Sequence, residues 1–180
     1  MHAGLLGVIR TPRQGNVHLD DVTWCADNGC FGKNYVGNYN WFYWLVENKH
    51  LADHCAFATA PDVVGDARAT LTRSREWLPR IRRLGYPAAL VAQDGLEDLR
   101  VPWATFDVLF IGGTTEWKLG PAAADLIKRA KKKGKAVHVG RVNTKNRIDR
   151  FRALGVDSLD GTVLTFGPDH NLPRLLRWIA

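Results

Sequence analysis

The chain is poor in sulfur. Its 180 residues include three cysteines and one methionine, too few for the disulfide framework that staples small secreted domains. A reducing cytoplasm is the expected compartment. No cysteine follows Cys55, so most of the chain lacks the thiolates of a compact zinc knuckle. No apolar run approaches the ~20 residues that span a bilayer, and no membrane is expected among its partners. Residues 1–10 lack a basic start followed by a long apolar core, so no signal peptide is expected either. Linkers, low-complexity tracts and internal repeats are also missing, which leaves one domain over 1–180, large enough for a real core.

Acidic residues are in deficit. Asp and Glu number 18 against 25 Lys and Arg, a formal net charge of +7 with a pI near 9.6. Such a balance suits a phosphate-bearing partner, nucleic acid before free nucleotides. It also suits a surface that merely keeps the protein in solution. Seven tryptophans exceed the ordinary needs of a core this size.

Short apolar runs alternate with helical patterns. Strands are expected over 5–9, 22–26, 55–60, 88–92, 108–111, 136–139 and 156–159. Helices are expected over 41–49 behind Asn40, to residue 84 behind Asp66, over 121–133, to residue 154 behind Asn143, and over 172–179, with Asn and Asp as caps and Gly85, Gly134 and Gly155 as stops. Six or seven βα units predict a parallel sheet covered by helices: a small TIM-like (β/α) barrel, with an open doubly wound sheet as the alternative.

The strand ends share a chemistry. Asp27, Asp62, Gln93, Gly112 with Gly113, Arg141, Asp157 and Asp160 each close an apolar run, and the carboxyl ends of strands are where α/β folds place their sites. Several carboxylates on one rim repel unless some stay protonated or meet a cation. A nucleophile and an acid/base at a sugar anomeric carbon exploit that splitting. Each acid alone is equally well a turn residue or helix cap. Gly112 and Gly113 would let backbone amides approach a planar ligand or a phosphate.

Three local motifs resemble the queuine/archaeosine tRNA-guanine transglycosylase superfamily, including phage relatives that place 7-deazaguanines in DNA. Asp27-Asn28-Gly29-Cys30-Phe31 is similar to the family's Asp-Ser-Gly-Gly-Phe, Ile111-Gly112-Gly113 to its Val-Gly-Gly, and Gly155-Val156-Asp157-Ser158-Leu159-Asp160 to its Gly-(Val/Ile)-Asp-Met-Phe-Asp. The resemblance implies a (β/α) barrel that exchanges a guanine or 7-deazaguanine base through a covalent glycosyl-aspartate. Asp160 would be the nucleophile, Asp27 the general acid/base and Asp62 a base-recognising residue. The family's cluster of three Cys and one His has no counterpart, and its Pro-Thr-Arg is replaced by Gly161-Thr162. The likeness is thus to a compact form without the zinc subdomain, and it requires no cofactor.

Around these residues, Gln93 is a candidate to read a base edge, Arg141 to neutralise a phosphate, and Tyr35, Tyr39 and Trp117 to stack on a base taken out of the helix. Lys131, Lys132 and Lys133, with Arg75 and Arg82, are candidates for phosphate contacts; lysines also favour helix C-termini through the dipole. Cys25, Cys30, His50, His54 and Cys55 carry enough donors for zinc, but their spacing fits packed cysteines and ordinary histidines better. His138 reads as a satisfied core histidine. The functional expectation is a transglycosylase or glycosylase on a purine unit of DNA or RNA. Its rivals are a hydrolase of free nucleosides or nucleotides and a nucleic-acid-binding protein without activity. Monomer and homodimer both remain open.

Overall fold

A computed structural model describes residues 4–14, 22–33 and 35–179. Seven strands form one sheet: β1 (Val8–Arg10), β2 (Trp24–Ala26), β3 (Cys55–Thr59), β4 (Ala88–Ala92), β5 (Val108–Ile111), β6 (Ala136–Val139) and β7 (Ser158–Leu159). All neighbours are parallel, and their order is β1-β2-β3-β4-β5-β6-β7. Because this order never reverses, right-handed crossovers place the helices on one face of the sheet. The result is an α/β half-barrel, curled and, among the described residues, unpaired between β1 and β7.

The curl is visible in side-chain contacts. Phe57 on β3 and His138 on β6 are three strand positions apart, roughly 14 Å in a flat sheet. Their ring centroids are 4.8 Å apart. The Phe110 ring on β5 completes the group, 5.9 Å from Phe57 and 4.7 Å from His138. With Cys25, Ala89 and Val108 these residues floor the concave face.

The described residues form six α-helices: α1 (Asn38–Glu47), α2 (Ala67–Arg83), α3 (Thr115–Lys118), α4 (Pro121–Lys132), α5 (Lys145–Ala153) and α6 (Pro168–Ile179). The convex layer alternates with the floor along each strand, so Trp24, Ala26, Ala58, Leu90, Leu109, Ile111, Val137 and Val139 meet Trp41, Leu45, Trp77, Leu78, Ile81, Leu126, Ile127 and Phe151. Small strand residues make room for aromatic helices. The buried aromatics also satisfy their polar atoms: Trp24 Nε1 donates to Leu51 O, Trp41 Nε1 to Thr59 O and Tyr86 Oη to Leu45 O, at 3.0, 3.1 and 3.0 Å. Among the described residues no helix is long and apolar enough to cross a membrane.

Local expectations hold where side-chain chemistry is specific. Asp66 Oδ1 accepts from Ala69 N at 2.9 Å and caps α2, and Pro121 opens α4, where a missing N–H costs nothing. Asn40 is not a cap: α1 begins two residues earlier, and Asn40 donates from within it to Val36 O. Asn143 is not a cap either, because its Oδ1 accepts from Thr162 N across to the exit of β7. The helix expected over 172–179 begins earlier, at Pro168, and runs through Pro173 as α6.

Candidate active site

The polar strand ends converge at the mouth of the half-barrel. Asp62, after β3, is 4 % exposed and gathers three donors. Its Oδ1 accepts from Asn28 Nδ2 at 2.9 Å and Cys30 Sγ at 2.7 Å, and its Oδ2 from Gln93 Nε2 at 2.6 Å. Gln93 Oε1 in turn accepts the backbone N–H groups of Gly65 and Gly113. One carboxylate thereby ties together the exits of β2, β3, β4 and β5. The Gly113 amide, expected to be open to a ligand, is used inside this network. At Gly113, φ is +45°, and a Cβ would overlap the Trp117 ring, so only glycine fits.

The exits of β6 and β7 build a second cluster around Asp160. Its Oδ2 lies 3.1 Å from His138 Nε2, and its Oδ1 accepts from Arg141 N at 2.8 Å. His138 Nδ1 is 2.8 Å from Ser158 Oγ, and the imidazole, 2 % exposed, is held against Phe57 and Phe110. A Cβ on Gly140 would come within 2.9 Å of Phe110 and 3.2 Å of Asp160 Oδ2, so the missing side chain lets the carboxylate approach. Burial raises the Asp160 pKa, but hydrogen bonding and charge from His138, the Arg141 amide and the Lys118 charge outweigh it. The carboxyl is held below the ordinary range.

Asp27 is tuned the other way. Burial raises it to about 6; the negative charges of Asp62 and Asp160 add to that rise, while hydrogen bonds from Gly29 and Thr59 oppose it. The pKa values of these two carboxyls are therefore shifted in opposite directions, the split that acid and nucleophile roles require.

Of the remaining sequence candidates, Arg141 is at the site but turned inward. Its Nη2 donates to Gly112 O at 3.1 Å and to Gly113 O, and its guanidinium lies over the Phe31 ring, 4.3 Å from the centroid. Tyr35 bonds Asn38 through its hydroxyl, and Trp117 bonds Glu97. Tyr39 packs edge-on against Trp77 at 5.3 Å. Asp157 is not at the mouth. It precedes β7, pairs with Lys131 Nζ at 2.6 Å and accepts Val137 N, because the last strand is two residues long and starts after it. Lys131, Lys132 and Lys133 end α4 and lead into the start of β6, at the opposite rim. Arg82 is there too, bidentate on Asp107 at 2.9 and 2.6 Å. Arg75 lies exposed midway along α2.

Among the described residues no group of three or more His, Cys, Asp or Glu is arranged to hold a metal. Cys25 faces the concave floor, Cys55 packs in the helical core and Cys30 bonds Asp62. Sequence reasoning missed His138, Lys118, Asn28 and Cys30 as site residues. For His138 a signal existed: it is the one polar residue in the run Ala136-Val137-His138-Val139. For Lys118, in a four-residue helix with no periodicity, there was none. No protein-family model and no curated protein matches the chain in sequence.

Proposed function

We propose that the protein cleaves or exchanges the N-glycosidic bond of a purine unit, guanine or a 7-deazaguanine, in nucleic acid. The observation that carries this reading is the opposed tuning of Asp27 and Asp160 at one mouth. Asp160, ionised and gripped on both oxygens, attacks C1′ of the sugar. The bond from C1′ to the base nitrogen breaks, its electron pair leaves with the base, and Asp27 gives that base its proton. A second base, or water, then attacks C1′, loses a proton to Asp27 and frees Asp160. His138, 3.1 Å from Oδ2, orients the attacking carboxylate.

The motif resemblance supports the same assignment, with Asp62 near the leaving base. Because Asp62 already holds Asn28, Cys30 and Gln93, base recognition there exchanges the Cys30 thiol, the weakest of the three donors, for a base N–H. Phe31, 65 % exposed with Arg141 over its other face, supplies a stacking surface for a base out of the helix. Phosphate contacts belong to the basic side chains of the same rim, Lys33, Arg68, Lys145 and Arg147, rather than to Lys131–133.

The test is trapping. The wild-type protein and Asp160→Asn are incubated with DNA and with tRNA in the presence of 7-deazaguanine bases, and covalent adducts are sought by mass. An adduct on the wild type alone, on one polymer, is expected. Salt-sensitive binding without adduct would favour a non-catalytic nucleic-acid-binding protein. Turnover of free nucleosides in place of polymer would favour a nucleoside hydrolase.

A further inference from the structure

Lys118 is 4 % exposed, and nothing in the proposed chemistry requires a buried ammonium group. Burying one is costly unless it is paired or well hydrogen-bonded. Its Nζ donates to Gly140 O. That carbonyl belongs to the peptide unit whose N–H is Arg141 N, which donates to Asp160 Oδ1 at 2.8 Å. The cation and the carboxylate thus sit at opposite ends of one peptide dipole, each facing the pole it favours, an arrangement in which hydrogen bonds strengthen one another.

The same peptide leads into a strained residue. Arg141 has φ +60°, the one positive φ of a non-glycine residue among those described, and such conformations persist only where surroundings enforce them. Its own side chain crosses back to the exit of β5 and bonds the carbonyls of Gly112 and Gly113. Lys118, in the helix that follows those glycines, crosses the other way to the exit of β6. Each loop is held by a cation from the other.

We infer that Lys118 and Arg141 form a reciprocal latch between the β5 and β6 exits, and that Lys118 is a positioning residue that acts on Asp160 through the Gly140–Arg141 peptide. The latch itself stands on these contacts; its consequence for turnover rests on the proposed function. The charged groups facing Lys118 are Arg141, Asp160 and Arg147. Burial first and the Arg141 charge second lower its pKa to about 8, and the Asp160 charge opposes them. The latch therefore weakens as pH rises through about 8.

The experiment follows the side-chain carboxyl carbon of Asp160 by NMR through a pH titration in wild type, Lys118→Met and Lys118→Arg, with folding checked by thermal melts. Lys118→Met is expected to move the Asp160 midpoint up toward the ordinary carboxylate range, and Lys118→Arg to keep it low. An unchanged midpoint in folded Lys118→Met overturns the inference. Should Lys118→Met not fold, the Arg141 amide resonance of the wild type decides: it must titrate with a midpoint near 8, and a flat response overturns the latch. In a glycosyl-transfer assay, folded Lys118→Met should lose about 10- to 100-fold in kcat with KM little changed, restored by Lys118→Arg. If the wild type shows no turnover, the proposed function fails, and the NMR titration still decides the latch.

Discussion

At the scale of single residues, Asp27 makes the site testable without any substrate. Its folded pKa of about 6 lies above the ordinary value near 3.9, so between those values the folded state binds more protons than the unfolded one. Stability then falls as pH rises through that window. Asp27→Asn should therefore stabilise the protein by about 3 kcal/mol at pH 8 and by only about 0.5 kcal/mol at pH 4, read from denaturant melts. On the proposed function the same ionisation is read in the rate: glycosyl transfer should decline above pH 6 as Asp27 loses its proton. The cysteines give a second check. Burial pushes all three thiols up, Cys55 to about 12, so little thiolate forms at pH 8. Alkylation of the folded protein should run at least about tenfold slower than that of a free cysteine, and urea should release all three. Rapid labelling of Cys30 in the native state would mean that its bond to Asp62 is open.

Among the elements, α2 shows how a local signal survives the fold. Asp66 caps its first turn, Asp62 O takes Arg73 Nη1 at 2.6 Å, and the helix runs on through Pro79. Pro79 removes the hydrogen bond to Arg75 O that a helix interior would make, yet Trp77, Leu78 and Ile81 stay buried around it. Packing on β4 outweighs that loss. Asp66→Ala should cost about 1 kcal/mol by chemical denaturation and leave the Asp160 titration unmoved, since the two lie at the exits of β3 and β7. The strand ends were legible for a related reason. An apolar run that stops on a charged or glycine residue marks a boundary in any parallel sheet, whichever way the sheet curls.

For the whole molecule, the half-barrel separates two basic surfaces. Lys131–133 and Arg82 surround the amino ends of the strands, whereas Arg68 and Lys145 begin α2 and α5 at the carboxyl ends. The four residues of β6 alone span about 13 Å, beyond the ~8 Å Debye length at physiological salt, so charges at one end act weakly at the other. On the proposed function, replacing Arg68 and Lys145 by Ala should weaken nucleic-acid binding and reduce its salt slope by about two. Replacing Lys132 and Lys133 should leave both nearly unchanged. Filter binding across a salt series separates the two. The reverse ranking would return the phosphate path to the lysine run at the end of α4.

The alternation of apolar runs and capped helices is local, so the sequence by itself determined an α/β chain with a parallel sheet, and it marked Asp27, Asp62, Gln93, Arg141 and Asp160 as strand-end residues. It could not distinguish a run's first residue from its last, which is how Asp157 came to be grouped with the site although it precedes a two-residue strand. Only the tertiary structure decided that the strand order never reverses and that the sheet curls until Phe57, Phe110 and His138 meet. It alone decided that two carboxylates of opposite tuning share one mouth with a buried lysine. Those outcomes depend on contacts between residues 20 to 130 positions apart, set by sheet curvature and burial, and no local pattern of side chains encodes them.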